Sequence, residues 1–218
     1  MCADFVRGCA WFGDLELGHA EIVLSPRGGR PMEKLKPKDF DAPAILLGGP
    51  VDYDMYKDFR TKLDRSAKKG LLVTELSTLG GDPEVARMMG EDIRFHSENS
   101  PNCRFVFLGK AAIYSAGTTF MSFFAVENRY LTRGTRLMIH ERKLDKTLHI
   151  SGPLTTCVAS VTATLHEIEA SIAIQNEGFE NLIRGSKVTM DDVLKRAPGN
   201  WYIEANEAKS LGLVSEVL

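Results

Sequence analysis

From Pro43 onward, short apolar runs alternate with longer stretches whose apolar residues recur at helical spacing. Ala44-Ile45-Leu46-Leu47 is such a run and stops at Gly48-Gly49-Pro50, which predicts a buried strand. Asp52 to Lys69 carries Met55, Tyr56, Phe59 and Leu63 on one side and ends at Gly70, which predicts a helix. Leu71 to Leu76 reads as a second strand, closed by Ser77-Thr78-Leu79-Gly80-Gly81. Asp82-Pro83 opens the next helix, with Val85, Met88, Met89 and Ile93 on one side. Proline suits a first helical position, where the N–H has no partner in any case. Arg104 to Leu108 and Thr135 to Ile139 read as further strands around an apolar helix at Thr118 to Val126. A long helical pattern runs from Leu154 to Arg184, and Val158, Val161, Leu165, Ile168 and Ile172 mark the stripe expected to be buried. Short helices follow at Asp191 to Arg196 and Ala205 to Leu211. This alternation predicts an α/β domain with mostly parallel strand pairing.

The first 40 residues lack that order. Leu15 to Leu24 has room for one strand, Ser25 to Pro31 is a loop by composition, and Glu33 to Asp41 reads as a solvated connector. Residues 1–40 are therefore taken as an extension on a main domain of residues 41–218. With 44% hydrophobic and 26% charged residues, the 218-residue chain has ample material for a core and is no disordered tail. A formal net charge of -2 lacks the basic excess of a nucleic-acid binder. The cysteines Cys2, Cys9, Cys103 and Cys157 form no CxxC pair and have no histidine at ligand spacing. The expectation is no metal, and reduced thiols in a cytoplasmic protein. Asp4 and Arg7 interrupt the apolar start, which does not read as a signal peptide, and no 18-residue apolar run predicts a membrane span.

Three segments carry chemistry. Ser115 stands between the strand ending near Leu108 and the apolar helix. Serine there is a preferred helix N-cap, or else a nucleophile on a strand-to-helix junction with the next backbone N–H free for an oxyanion. Arg136-Leu137-Met138-Ile139-His140 delivers a histidine to the carboxyl end of a strand, where open α/β sheets place ligands. Gly80-Gly81 is either a tight connector or a stretch of backbone open to a bound chain.

Together these segments resemble the proteolytic subunit of the Clp protease, a serine peptidase of the wider Clp/crotonase fold. That family reads Ser-Pro-Gly-Gly where this chain has Ser77-Thr78-Leu79-Gly80-Gly81, and Ala-Ser-Met-Gly where it has Tyr114-Ser115-Ala116-Gly117. It reads Met-Ile-His at Met138-Ile139-His140, with the same separation of 25 residues between serine and histidine. The ending from Glu207 to Val214 is similar to its Glu-Ala-x-x-x-Gly-Leu-Val. The likeness spans Ala44 to Leu218. It implies a core of repeated ββα/βαβ units with a long projecting helix. It also implies that Ser115 is the nucleophile, His140 the general base and then acid, and the N–H groups of Gly81 and Ala116 the oxyanion hole. A peptide would pair with backbone at Gly80-Gly81. No metal or organic cofactor is implied. A homo-oligomeric ring acting on peptides or unfolded protein is implied, with an ATPase unfoldase as partner by analogy alone.

One position departs from the pattern. The family's aspartate falls on Arg196 in a gap-free count, and a cation cannot support an imidazolium. Asn200, four residues on, offers a carbonyl oxygen instead; Asp191, Asp192 and Glu204 are the other candidates. The competing readings are a non-catalytic subunit that keeps the fold and a crotonase-like acyl-CoA enzyme. The predicted long helix, about 31 residues or roughly 46 Å, exceeds what a small domain needs, so part of its stripe is expected against a neighbouring subunit.

Overall fold

The computed structural model describes residues 35–218, so the strand expected at Leu15 to Leu24 and the loop that follows lie outside the described residues. One compact unit runs from Lys36 to Leu218. Its elements are β1 (Ile45–Gly48), α1 (Tyr53–Arg65), β2 (Gly70–Thr78), α2 (Pro83–Asn99), β3 (Cys103–Tyr114), α3 (Ala116–Ser122), β4 (Arg129–Leu131), β5 (Arg136–Ile139), α4 (Leu154–Ile183), α5 (Met190–Arg196), β6 (Trp201–Glu204), α6 (Ala205–Leu211) and β7 (Glu216–Val217). All strands join one sheet in the order β1-β2-β3-β4-β7, parallel throughout, with β5 added on β3 and β6 antiparallel on β5. The fold is thus α/β with a mostly parallel sheet.

Local chemistry accounts for the helix starts. The Asp52 carboxylate accepts from the N–H groups of Asp54 and Met55, and the Asp82 carboxylate from those of Glu84 and Val85. Each satisfies donors that the first helical turn leaves unpaired. Apolar faces of α1, α2 and α3 (Phe59, Met89 and Phe120 among them) are fully buried against the sheet residues Ile45, Leu76 and Phe107.

Strand β3 is the organiser, and it is longer than the run Arg104 to Leu108 suggests. Phe107, Leu108 and Gly109 pair with β4, whereas Ala112, Ile113 and Tyr114 pair with β5. The handover falls at Gly109, where a Cβ would sit 2.6 Å from a Leu131 methyl and 2.8 Å from the Ile113 side chain. Only a residue without a side chain fits between the two neighbours. The residues after Leu108, where the sequence pattern ends the strand, are therefore its second half. They carry the chain to Ser115.

Two further expectations change. The charged segment before Asp41 is not all solvated: Pro37–Phe40 forms a 3-10 turn, and the buried Phe40 ring lies 5.0 Å from that of Tyr130. On α4, the stripe expected to be buried is open. Val158 is 65% exposed, Leu165 51% and Ile172 50%, while Phe179 and Leu182 at the far end are the helix's buried residues. Helical periodicity identifies one face of α4, but the compact unit covers only the last two turns of it. By length and composition alone α4 is also apolar enough to cross a membrane.

The anchored end of α4 is held by Arg129. This guanidinium is 2% exposed and donates to the carbonyls of Phe124 (2.8 Å), Ser122 (3.0 Å), Asn181 (3.3 Å), Leu182 (2.8 Å) and Leu213 (3.3 Å). One side chain thereby ties the ends of α3 and α4 to the segment before β7.

Candidate active site

The parallel pairing of Tyr114 with Met138 brings the carboxyl ends of β3 and β5 side by side. Ser115 follows β3 directly and His140 follows β5 directly, so two residues far apart in sequence meet at the sheet edge where ligand sites of such folds lie. The Ser115 N–H donates to the Met138 carbonyl at 2.8 Å, which fixes the junction.

Ser115 occupies the N-cap position of α3, yet its side chain makes no capping bond. Its Oγ lies 2.5 Å from His140 Nε2 instead. The Ser115 backbone sits at φ 53°, ψ -115°, a left-handed conformation that costs a non-glycine residue of order 1–3 kcal/mol. Sharp strand-to-helix turns of this kind hold a side chain out from the sheet. The Ser115 hydroxyl therefore bonds to His140 and does not cap α3.

Gly80-Gly81 forms the adjoining wall. A Cβ on Gly80 would stand 2.9 Å from Ser115 Cβ and 3.4 Å from its Oγ, so the backbone passes against the serine because nothing projects from it. The loop is locked to Val51. The Val51 N–H donates to the Gly80 carbonyl (2.9 Å), the Asp82 N–H donates to the Val51 carbonyl (2.8 Å), and a Cβ on Gly81 would reach within 2.3 Å of that carbonyl. Thr78 Oγ1 accepts the Gly80 N–H at 3.0 Å. The N–H groups of Gly81 and Ala116 have no acceptor among the described residues, and both residues line the same cavity as Ser115 and His140.

That cavity has a volume of about 370 Å³. Phe123, Ile172 and Leu182 give it an apolar side, and the segment from Glu141 to Leu144 lines it as well. The Arg142 N–H donates to Gln175 Oε1 at 2.6 Å, the Arg142 guanidinium pairs with Glu84 at 2.7 Å, and Lys146 pairs with Glu167. These links strap residues 141–146 across α4 and the start of α2. The sequence reading passed over this strap. Its signal was present in the charges of Glu141-Arg142-Lys143, directly after the histidine.

The third position is different from every expectation. His140 Nδ1 is buried and has no hydrogen-bond partner. Asn200 comes next to the antiparallel pair Ile139 and Trp201, but it is exposed, sits at φ 58° after the Ala197–Gly199 turn, and does not bond to His140. The left-handed backbone there leaves its amide in solvent. Arg196 stacks 4.6 Å over the Trp201 ring. Asp192 is engaged with Thr189 in a capping box, Glu204 pairs with Arg136 at 2.6 Å, and Asp191 lies exposed in the first turn of α5. Among the described residues, no carboxylate and no amide takes the Nδ1 proton.

The consequence is a tautomer imbalance. The form that accepts the serine proton must carry hydrogen on Nδ1, where a buried unpaired donor costs about 1–3 kcal/mol. Burial pushes the His140 pKa below its ordinary value, and the positive Lys143 pushes it the same way. The imidazole is therefore neutral at pH values where an ordinary histidine is half protonated. The acid limb of Ser115 labelling by a serine-directed reagent is expected to lie below pH 6.5, the usual histidine pKa. Lys143→Ala should move it upward, by removing a charge that opposes protonation. A limb at or above the ordinary value in the unmodified chain refutes this.

Among the described residues, no group of three or more His, Cys, Asp or Glu side chains is placed to hold a metal. No protein-family model matches the chain, and no curated protein matches it in sequence. The fold and the site define an α/β protein with a serine–histidine pair at the carboxyl ends of parallel strands.

Proposed function

We propose that the chain is a serine-type peptidase of the Clp-like kind, with the Clp/crotonase core topology. The observation that carries the reading is the 2.5 Å approach of Ser115 Oγ to His140 Nε2 from a strained strand-to-helix junction. Ser115 Oγ attacks the scissile carbonyl carbon while its proton passes to His140 Nε2. The carbonyl oxygen gains charge where the Gly81 and Ala116 N–H groups are unoccupied, and one such donor is worth roughly 10²–10³ in rate. The Nε2 proton then goes to the leaving amine, and water activated by the same imidazole releases the acyl group. No step calls for a metal or an organic cofactor.

A fluorophosphonate reagent tests this directly. It is expected to label Ser115 in the folded chain, and Ser115→Ala or His140→Ala should each reduce labelling at least about 10³-fold. Labelling that persists in His140→Ala removes the pair from the mechanism.

The unpartnered Nδ1 favours a second reading, a non-catalytic subunit that keeps the fold. The strain at Ser115 weighs against it, since it coincides with the bond from Ser115 Oγ to His140, and strain of this kind concentrates at functional sites. A crotonase-like acyl-CoA enzyme has no use for a bonded serine and histidine.

The proposal extends to assembly. The open stripe on α4 (Val158, Val161, Leu165) is a contiguous apolar face of the kind covered by a second copy. Light scattering at micromolar concentration should give a multiple of 24.1 kDa, and Val161→Glu with Leu165→Glu should return the monomer mass. A monomer mass for the unmodified chain sinks it.

A further inference from the structure

The Gly80-Gly81 loop and His140 reach the cavity from strands that are not neighbours. The loop follows β2 and the histidine follows β5, while β3 pairs with both and stands between them. The lock to Val51 is one restraint on the loop. Among the described residues, a single polar link joins residues 79–84 to residues 139–146: Glu84 Oε1 accepts from Arg142 Nη1 at 2.7 Å. Glu84 comes just after Gly81, in the first turn of α2, where its N–H donates to the Asp82 carboxylate at 2.8 Å. Arg142 comes just after His140, and its own N–H is held at 2.6 Å by Gln175 on α4. The other Glu84 oxygen accepts from Arg87 at 2.8 Å, and Arg87 stands 4.0 Å from Glu177 of α4. A carboxylate with a guanidinium on each oxygen cannot turn without giving up one of them. Arg87 and Arg142 line the cavity and Glu84 does not, so Glu84 acts through them and not on a ligand.

We propose that Glu84 is a positioning residue: through Arg142 it holds the Gly81 N–H and the His140 imidazole at the separation the reaction needs. This inference rests on the peptidase reading. The Glu84 side chain is half-exposed, so its ion pair adds little to folding stability. Its effect on the reaction is larger, because donor and base act together on one carbonyl and a misplacement of about 1 Å costs roughly 10²-fold. A first-turn glutamate that served only the start of α2 would act independently of Arg142.

The test is the rate at which a fluorophosphonate labels Ser115 in the full chain. Glu84→Gln and Arg142→Met should each lower it by about 10-fold to 10²-fold, and the double variant should lose no more than either alone. Exchanging the charges, Glu84→Arg with Arg142→Glu, should label faster than either of those single changes. The urea midpoint of Glu84→Gln should stay at that of the unmodified chain. Glu91→Gln breaks a comparably exposed ion pair, with Arg94 further along α2, and should label at the unmodified rate. Losses that multiply in the double variant overturn the inference, as does an exchange that brings no recovery. So does an unmodified rate in Glu84→Gln, or an equal loss in Glu91→Gln. Each of these leaves the peptidase reading standing, whereas absence of labelling in the unmodified chain overturns both.

Discussion

Arg129→Leu should lower the unfolding free energy by about 3–5 kcal/mol, the largest loss expected from any single substitution outside the site. The guanidinium is buried and forms no ion pair among the described residues, and burial, against the opposing pull of Glu127, pushes its pKa down to about 10, which still leaves it charged at neutral pH. What compensates the buried charge is a cage of five backbone carbonyls, four of them at the ends of α3 and α4. Carbonyls at helix C-termini carry partial negative charge and have no partner within the helix, so the cation serves them as much as they serve it. Leucine fills part of the volume but leaves those acceptors buried and unpaired, at about 1–3 kcal/mol for each that water cannot reach. Lysine keeps the charge but offers three donors from one point, and should recover less than half of the loss. Urea denaturation monitored at Trp201 measures this; a change below about 1 kcal/mol means water replaces the cage.

Gly81→Ala should abolish labelling of Ser115 almost as completely as loss of the serine, by at least about 10²-fold. Two independent constraints meet at this residue. Its φ of 150° lies where side chains are rarely tolerated, and a Cβ would stand 2.3 Å from the Val51 carbonyl oxygen and 2.7 Å from the Val51 nitrogen. These are backbone atoms, and they cannot swing aside as the tip of a side chain can. The loop must lift off Val51, which breaks the bonds from Val51 to Gly80 and from Asp82 to Val51. It also carries the Gly81 N–H away from the serine. The stability cost should be modest, about 1–3 kcal/mol, because the loop lies at the cavity and not in the core. A variant that labels at the original rate shows that the Gly81 donor is dispensable.

The long elements and the Ser115–His140 pair are legible in the sequence because each depends on local pattern. Leu137 and Ile139 face the core, and the histidine that ends their run must emerge at the strand's carboxyl end. Strands β4, β6 and β7, of three, four and two residues, have no comparable signal. They exist because β3, β5 and β4 offer open backbone, a condition set by residues far away in the chain. The choice of Asn200 fails for a related reason. The gap-free count falls on Arg196, and Asn200 four residues on does come next to the strand pair Ile139 and Trp201, but a left-handed turn decides where its amide goes. The open stripe of α4 shows the same limit, since periodicity states which face is apolar and not what lies against it.

The exposed part of α4 has a consequence for its own persistence. Thr155, Thr156, Val158, Val161, Thr162, Ile168 and Ile172 are β-branched residues that lower intrinsic helix stability, and none of them is buried within the compact unit. At the other end, the carbonyls of Asn181 and Leu182 are fixed by Arg129. A helix clamped at one end and composed of weak formers at the other unwinds from the free end inward. Amide hydrogens between Leu154 and Ile172 in an isolated chain therefore exchange within the time of local fraying, while those near Leu182 exchange only with global opening. The gradient of exchange along a single helix becomes a ruler for how far any covering surface extends.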